Sequence, residues 1–180
     1  MLACPSRTRI TLIPAKIQKK TDRVRLAIGG FDPDGAFVSD VTVLRSWGAS
    51  GIAGYAPPQK ILPGHHVFGG VLFDHFGHFL IDTLARVWAI KEHSSLRVAW
   101  ICLPDFQGLK PWQKDIFDLL GIDQARFEYV QIPSEFEQLS LPEPGFICSG
   151  WADAECVEAL AIVPFKSPIM GKKLWLSRTA

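Results

Sequence analysis

The stretch from Gly69 to Ala89 reads GGVLFDHFGHFLIDTLARVWA and carries Asp74, His75, His78, Asp82 and Arg86. On a helix turning about 100° per residue, these five polar side chains fall within about 120° of one another. Phe76, Phe79, Leu80, Leu84, Val87 and Trp88 fall on the opposite arc, which the spacing predicts as the core face. An ordinary solvated helix face is built from Glu and Lys. This one offers imidazoles, carboxylates and a guanidinium. His78 and Asp82 stand at i,i+4 and can touch. A carboxylate beside an imidazole fixes its tautomer and strengthens it as a base, so the pair suits proton abstraction: His78 as base, Asp82 as its orienter. Gly77 beside His78 and Gly69-Gly70 ahead of the helix remove side chains where a ligand could approach. Gly70, Asp74 and His75 near the helix start, together with Arg86, are the candidate substrate contacts. A helix N-terminus suits a phosphate, although Asp74 there opposes it.

Two other readings of the same residues stand beside this one. The stripe also fits an ordinary helix with a satisfied surface histidine and Asp74 as N-cap. His75, His78 and Asp82, with His65-His66 nearby, could instead supply three ligands to zinc or iron, as in a metal-dependent hydrolase, but no H-E-x-x-H signature is present. No resident cofactor is expected. Asp32-Pro33-Asp34 has the D-x-D form that can hold a divalent cation, and it also reads as a turn before Gly35. Trp112 and Trp151 read as packed aromatics or as platforms for a sugar. Phosphate loops of the G-x-x-x-x-G-K-[ST] type, G-x-G-x-x-G and G-x-S-x-G are absent.

The elements that must position the stripe follow from periodicity and punctuation. Val24–Ile28 alternates and ends at Gly29-Gly30, and Ala36–Trp47 is β-branched, so residues 24–47 are expected to form a β-hairpin. Gly48–Pro63 reads as a loop. From residue 66 the order is β-α-β-α-β: an apolar run to Phe73, the helix Asp74–Glu92, the run Val98–Leu103, a helix opened by Pro111 and closed at Gly121, and a strand over Arg126–Ile132. Leu139–Leu141 and Phe146–Cys148 read as short extended pieces, Ala152–Ile162 as a helix and Leu174–Leu176 as a strand. The alternation predicts an α/β domain with a parallel sheet and helices on its faces. Residues 1–23 read as an N-terminal extension, 24–64 as hairpin and loop, 65–172 as the α/β core and 173–180 as the opening of a further unit.

Composition narrows the class. The 180 residues carry 19 Lys and Arg against 18 Asp and Glu, which argues against binding nucleic acid through its phosphates. At 48% hydrophobic residues the chain is too apolar for disorder, and no apolar run is long enough to span a bilayer. The cluster Lys16, Lys19, Lys20, Arg23 and Arg25 supports at most a peripheral membrane contact. Cys4, Cys102, Cys148 and Cys156 show no C-x-x-C spacing; Cys102 and Cys148 lie in apolar company and read as buried thiols of a reducing, cytoplasmic compartment.

The segment Phe76–Ala89 resembles the "GHFL-(D/E)-x-L-x-R-L-W-A" stretch of bacterial members of glycosyltransferase family 61, the capsular polysaccharide biosynthesis proteins. Trp112-Gln113 through Leu120-Gly121-Ile122 is similar to that family's tryptophan-led helix ending in L-G-I. Lys173–Arg178 is similar to its "K-L-Y-(V/I/L)-S-R". The resemblance implies one half of an inverting, GT-B-like enzyme built from Rossmann-like halves, transferring a sugar from a nucleotide-sugar donor to a glycan acceptor. It places His78 and Asp82 at the cleft between halves. The family's S-R element opens the donor-binding half, so the chain is expected to be a truncated first half, inactive alone, with a second polypeptide as a possible partner. A non-catalytic module that binds glycan or a partner is the competing expectation.

Overall fold

The computed structural model describes residues 1–20, 23–46 and 48–161. The expected strand at Leu174–Leu176 and the whole of 173–180 lie outside the described residues. β1 (Ser6–Lys20) and β2 (Arg23–Phe31) form an antiparallel hairpin. A 3-10 turn at Ser39–Val41 leads to β3 (Leu44–Arg45), which pairs with β4 (Gly48–Ala49), and β5 (Gly51–Ile52) lies parallel to β2. Next come β6 (Lys60–Leu72), a helical segment from α1 (Phe76–His78) to α2 (Val87–Glu92), and β7 (Arg97–Cys102). Then follow α3 (Pro111–Leu119), β8 (Phe127–Val130), β9 (Ser134–Ser140) and α4 (Ala154–Leu160). Seven strands form one sheet in the order β5-β2-β1-β9-β6-β7-β8, mostly parallel, with β9, β6, β7 and β8 all pointing the same way. The α/β class and the β-α-β-α-β order from residue 66 agree with the sequence.

The N-terminal half departs from expectation. The hairpin is not 24–47; β2 pairs with residues read as an extension outside the core. Ile10, Leu12 and Ile13 of β1 are buried, and Pro14 sits in the bulge where the register shifts between Ile13 and Lys16. The expected strand over 36–47 is not one long strand in its described part, 36–46, because Val38, Val41 and Val43 are all buried through a turn rather than alternating. Likewise β6 begins at Lys60 inside the expected loop. Pro63-Gly64 falls in a second bulge, between Leu62 and His65, with Gly64 at φ +79°.

Alternate residues of β7 enter two cores. Val98, Trp100 and Cys102 join Phe79, Val87, Ile90, Phe117, Leu120 and Phe127 under the helices. Ala99 and Ile101 join Ile10, Leu12, Phe68, Phe136 and Leu139 with Val38, Val41 and Val43 on the other face. Among the described residues the α-helices pack on the first of these two faces. Gly69 is required by packing: a Cβ there would lie 2.8 Å from the Trp100 ring. Among the described residues no helix is long and apolar enough to cross a membrane. Cys102 and Cys156 are buried free thiols, pushed up to about 12 and about 11 by desolvation, while Cys148, expected in the core, is half-buried.

His66 in β6 is 2% exposed, its Nδ1 has no hydrogen-bond partner, and its ring stands edge-on to Phe136. Burial pushes its pKa down, and His65 shifts the same way. The sign follows. The unfolded chain takes up protons near pH ~6.5 and the folded chain resists, so stability is full above that pH and falls below it. Denaturant titrations between pH 7.5 and 5 are expected to show this loss, at most about 1.4 kcal/mol per pH unit for one group, and His66→Phe to reduce the slope. Parallel curves for the two proteins would exclude His66 as its source.

Candidate active site

The site lies where β6 hands over to the helical segment. Thr83 pins the junction: its Oγ1 donates to the Val71 carbonyl (2.7 Å) and accepts from Phe73 N–H (3.1 Å). Gln113 Nε2 donates to the Phe73 carbonyl (3.0 Å). Asp74 is not the N-cap. It is exposed and pairs with Lys110 Nζ at 3.0 Å, and the N-cap position belongs to His75, whose side chain caps nothing.

The expected continuous helix over 74–92 is broken. After α1 comes a π-helical stretch, Phe79–Thr83, then a 3-10 turn, Leu84–Arg86, then α2. Wide and tight turns rotate the faces away from the 100° wheel. Phe76 and Leu80, expected in the core, are 57% and 39% exposed, whereas Asp82 and Arg86, expected on the polar surface, are 6% and 2% exposed. π-turns of this kind often occur at functional sites.

Within this distorted helix, His78 Nδ1 lies 2.9 Å from Asp82 Oδ2. A third residue completes the group. Arg45, at the end of β3, donates from Nη2 to Asp82 Oδ2 (2.7 Å), with its Nε 3.4 Å from Oδ1, and Nη2 is 3.2 Å from His78 Nδ1. A guanidinium only donates and a carboxylate only accepts, so Nδ1 either accepts from Arg45 or donates to Asp82, according to its tautomer. The shorter contact assigns Nδ1–H to Asp82. Nε2 is then left with its lone pair, on a side chain 42% exposed, while the Asp82 side chain is 3% exposed. This is an imidazole oriented by a buried carboxylate, which a guanidinium holds in turn. Nothing in the i,i+3,i+4 spacing pointed to Arg45, 37 residues before Asp82. The only trace is a lone charge inside the β-branched run Val41–Arg45.

No family model, curated protein or solved structure matches this chain.

Of the remaining candidates, His75 stays beside the His78–Asp82 pair, while Arg86 and Gly70 turn into the fold. His75 is exposed, its ring centroid 5.4 Å from that of His78. Arg86 does not reach solvent: its Nε donates to the Pro142 carbonyl (2.9 Å) and its Nη2 to those of Asp40 (3.1 Å) and Thr42 (3.3 Å). Desolvation lowers its pKa to about 10, against the opposing pull of Asp40, so it stays a cation at neutral pH. Gly70 is buried with φ +109°, and a Cβ there would lie 3.4 Å from Arg86 Nη1. Gly70 and Arg86 thus pack on each other inside the fold.

The metal alternative is not assembled. Among the described residues no three His, Cys, Asp or Glu side chains are grouped to hold an ion. Asp82 is engaged by Arg45 and His78, and His65 meets Ser140. The D-x-D motif is a turn: Asp32 Oδ1 accepts from the N–H of Asp34 and of Ala36. Trp112 is half-buried, edge-on to Phe76 and Phe79, while Trp151 is 47% exposed. A cavity of about 250 Å³ lies elsewhere, lined by Pro14, Lys16, Cys102, Pro104 and Gln131.

Proposed function

We propose that the chain is a glycosyltransferase-like domain of polysaccharide biosynthesis. It would form one Rossmann-like half of a GT-B-like enzyme acting on the cytoplasmic side, with the donor nucleotide bound mainly by a second half. The observation that carries this reading is the partly exposed His78 imidazole, held on its Nδ1 side by the buried Asp82. The resemblance of Phe76–Ala89 to glycosyltransferase family 61 supplies the substrate class: a nucleotide sugar and a glycan acceptor.

In the proposed reaction His78 Nε2 takes the proton of an acceptor hydroxyl. The hydroxyl oxygen bonds to the anomeric carbon of the donor sugar as the bond from that carbon to the leaving diphosphate oxygen breaks. The nucleoside diphosphate departs with the electron pair, and the anomeric configuration inverts. Asp82 accepts from Nδ1–H throughout, so it holds the tautomer and stabilises the imidazolium that forms.

The test is acceptor-dependent release of nucleoside diphosphate from nucleotide sugars, using the chain with a donor-binding half present. His78→Ala is expected to lower turnover at least a hundredfold, within the usual contribution of a general base of about 10²–10⁴, with an unchanged melting curve. Full turnover in that variant would remove His78 as the base. No turnover with any nucleotide sugar would overturn sugar transfer itself.

A further inference from the structure

We infer that Arg86 is a positioning residue for the His78–Asp82 pair, acting through Arg45. Arg86 and Asp82 sit four residues apart on the same distorted helix, yet their side chains do not meet. Instead, Arg86 reaches across to the segment that brings Arg45. Its Nη2 holds the carbonyls of Asp40 and Thr42, at the 3-10 turn and the residue that follows it. Only Val43 and Leu44 then separate Thr42 from Arg45.

The guanidinium is fixed from other sides too. Nε is tied to Pro142, and the group lies 5.2 Å over the Phe68 ring. Gly70, lacking a side chain, leaves the space beside Nη1. A buried cation donating to carbonyls from two separate segments is a costly arrangement, because an apolar side chain of similar volume avoids its desolvation. What the charge and fork provide here is a fixed height for the start of β3. That height sets whether the Arg45 guanidinium meets the Asp82 carboxylate, and so how Asp82 meets Nδ1 of His78.

This inference rests on reading His78 as the functional base, but its test reads geometry, not turnover. Histidine is labelled with 15N in the full chain, and the His78 ring signals are assigned by their loss in His78→Asn. In the native protein the signals are expected to report protonated Nδ1 and unprotonated Nε2. Arg45→Ala is expected to move them toward the exchange-averaged position. Arg86→Gln is expected to produce the same displacement in a chain whose backbone spectrum shows it folded, and the double variant to add little further. Arg86→Lys keeps the cation and loses the fork, so it is expected to move the signals in the same direction; it decides the matter if Arg86→Gln does not fold. His78 signals that stay native in a folded Arg86 variant, while Arg45→Ala displaces them, would reduce Arg86 to a structural clamp and overturn the inference. Failure of sugar transfer leaves these signals untouched, so the two ideas fail separately.

Discussion

Phe117→Ala is expected to lower the unfolding free energy by about 3–5 kcal/mol, the range for removing a fully buried aromatic side chain. Phe117 is 0% exposed on α3. Its ring meets those of Phe79, Trp100 and Phe127 at centroid distances of 5.3, 5.7 and 4.9 Å. Those partners come from the π-helical stretch, β7 and β8. One side chain therefore joins the distorted helix to two strands of the sheet, and its loss leaves a hole that no single element can collapse into. The expected cost is a large share of the roughly 5–15 kcal/mol by which such domains are stable. Urea denaturation followed by circular dichroism measures it. A loss under about 1.5 kcal/mol, the ceiling for well-tolerated core swaps, would show that Phe117 does not tie these three elements together.

The second large effect is at Asp82. With Asp82→Ala, Arg45 and His78 both lose a buried acceptor. Breaking a buried ion pair costs about 3–5 kcal/mol. Because the Arg45 side chain is 25% exposed, solvent recovers part of its charge, and about 2–3 kcal/mol is the expected loss. Arg45→Ala is expected to destabilise too, since it leaves a carboxylate 3% exposed beside His78. The double variant should cost clearly less than the two single losses added together, with a coupling of about 1.5–3 kcal/mol, as for hydrogen bonds to charged groups. Additive losses would mean that the short Arg45–Asp82 contact carries no energy of its own.

What the sequence disclosed depended on the range of each interaction. The His78–Asp82 contact was legible because it is local, one turn apart. The parallel strands around β7 were legible because a run buried on both faces is continuously apolar. Arg45 was not, because the pairing that brings it is set by the tertiary course of residues 38–50. The π-turn was also hidden. No Pro or Gly marks it between Phe79 and Thr83, and the registers of Phe76, Leu80, Asp82 and Arg86 are settled by which side chains the sheet can take. β1 and β6 were underread for a specific reason: Pro14, Pro63 and Gly64 look like strand breakers, yet each sits where a bulge already interrupts the ladder. β9 was mostly missed because Glu135 and Glu137 punctuate it, although Ser134, Phe136 and Leu139 are the ones that turn inward.

The place of β1 has a consequence for how the molecule is made. Ser6 pairs with Ser140 and Leu12 with Ser134. A ribosome adding ~5–20 residues per second needs on the order of ten seconds between the two partners. During that wait β1 has its hairpin mate β2 but a bare second edge, with Ile10 and Leu12 unsheltered, the kind of ladder that captures other nascent chains. The sheet can close only when β9 slides between β1 and β6. Of the seven strands the central one is thus the last to be synthesised, and β1 depends longest on protection from neighbouring chains.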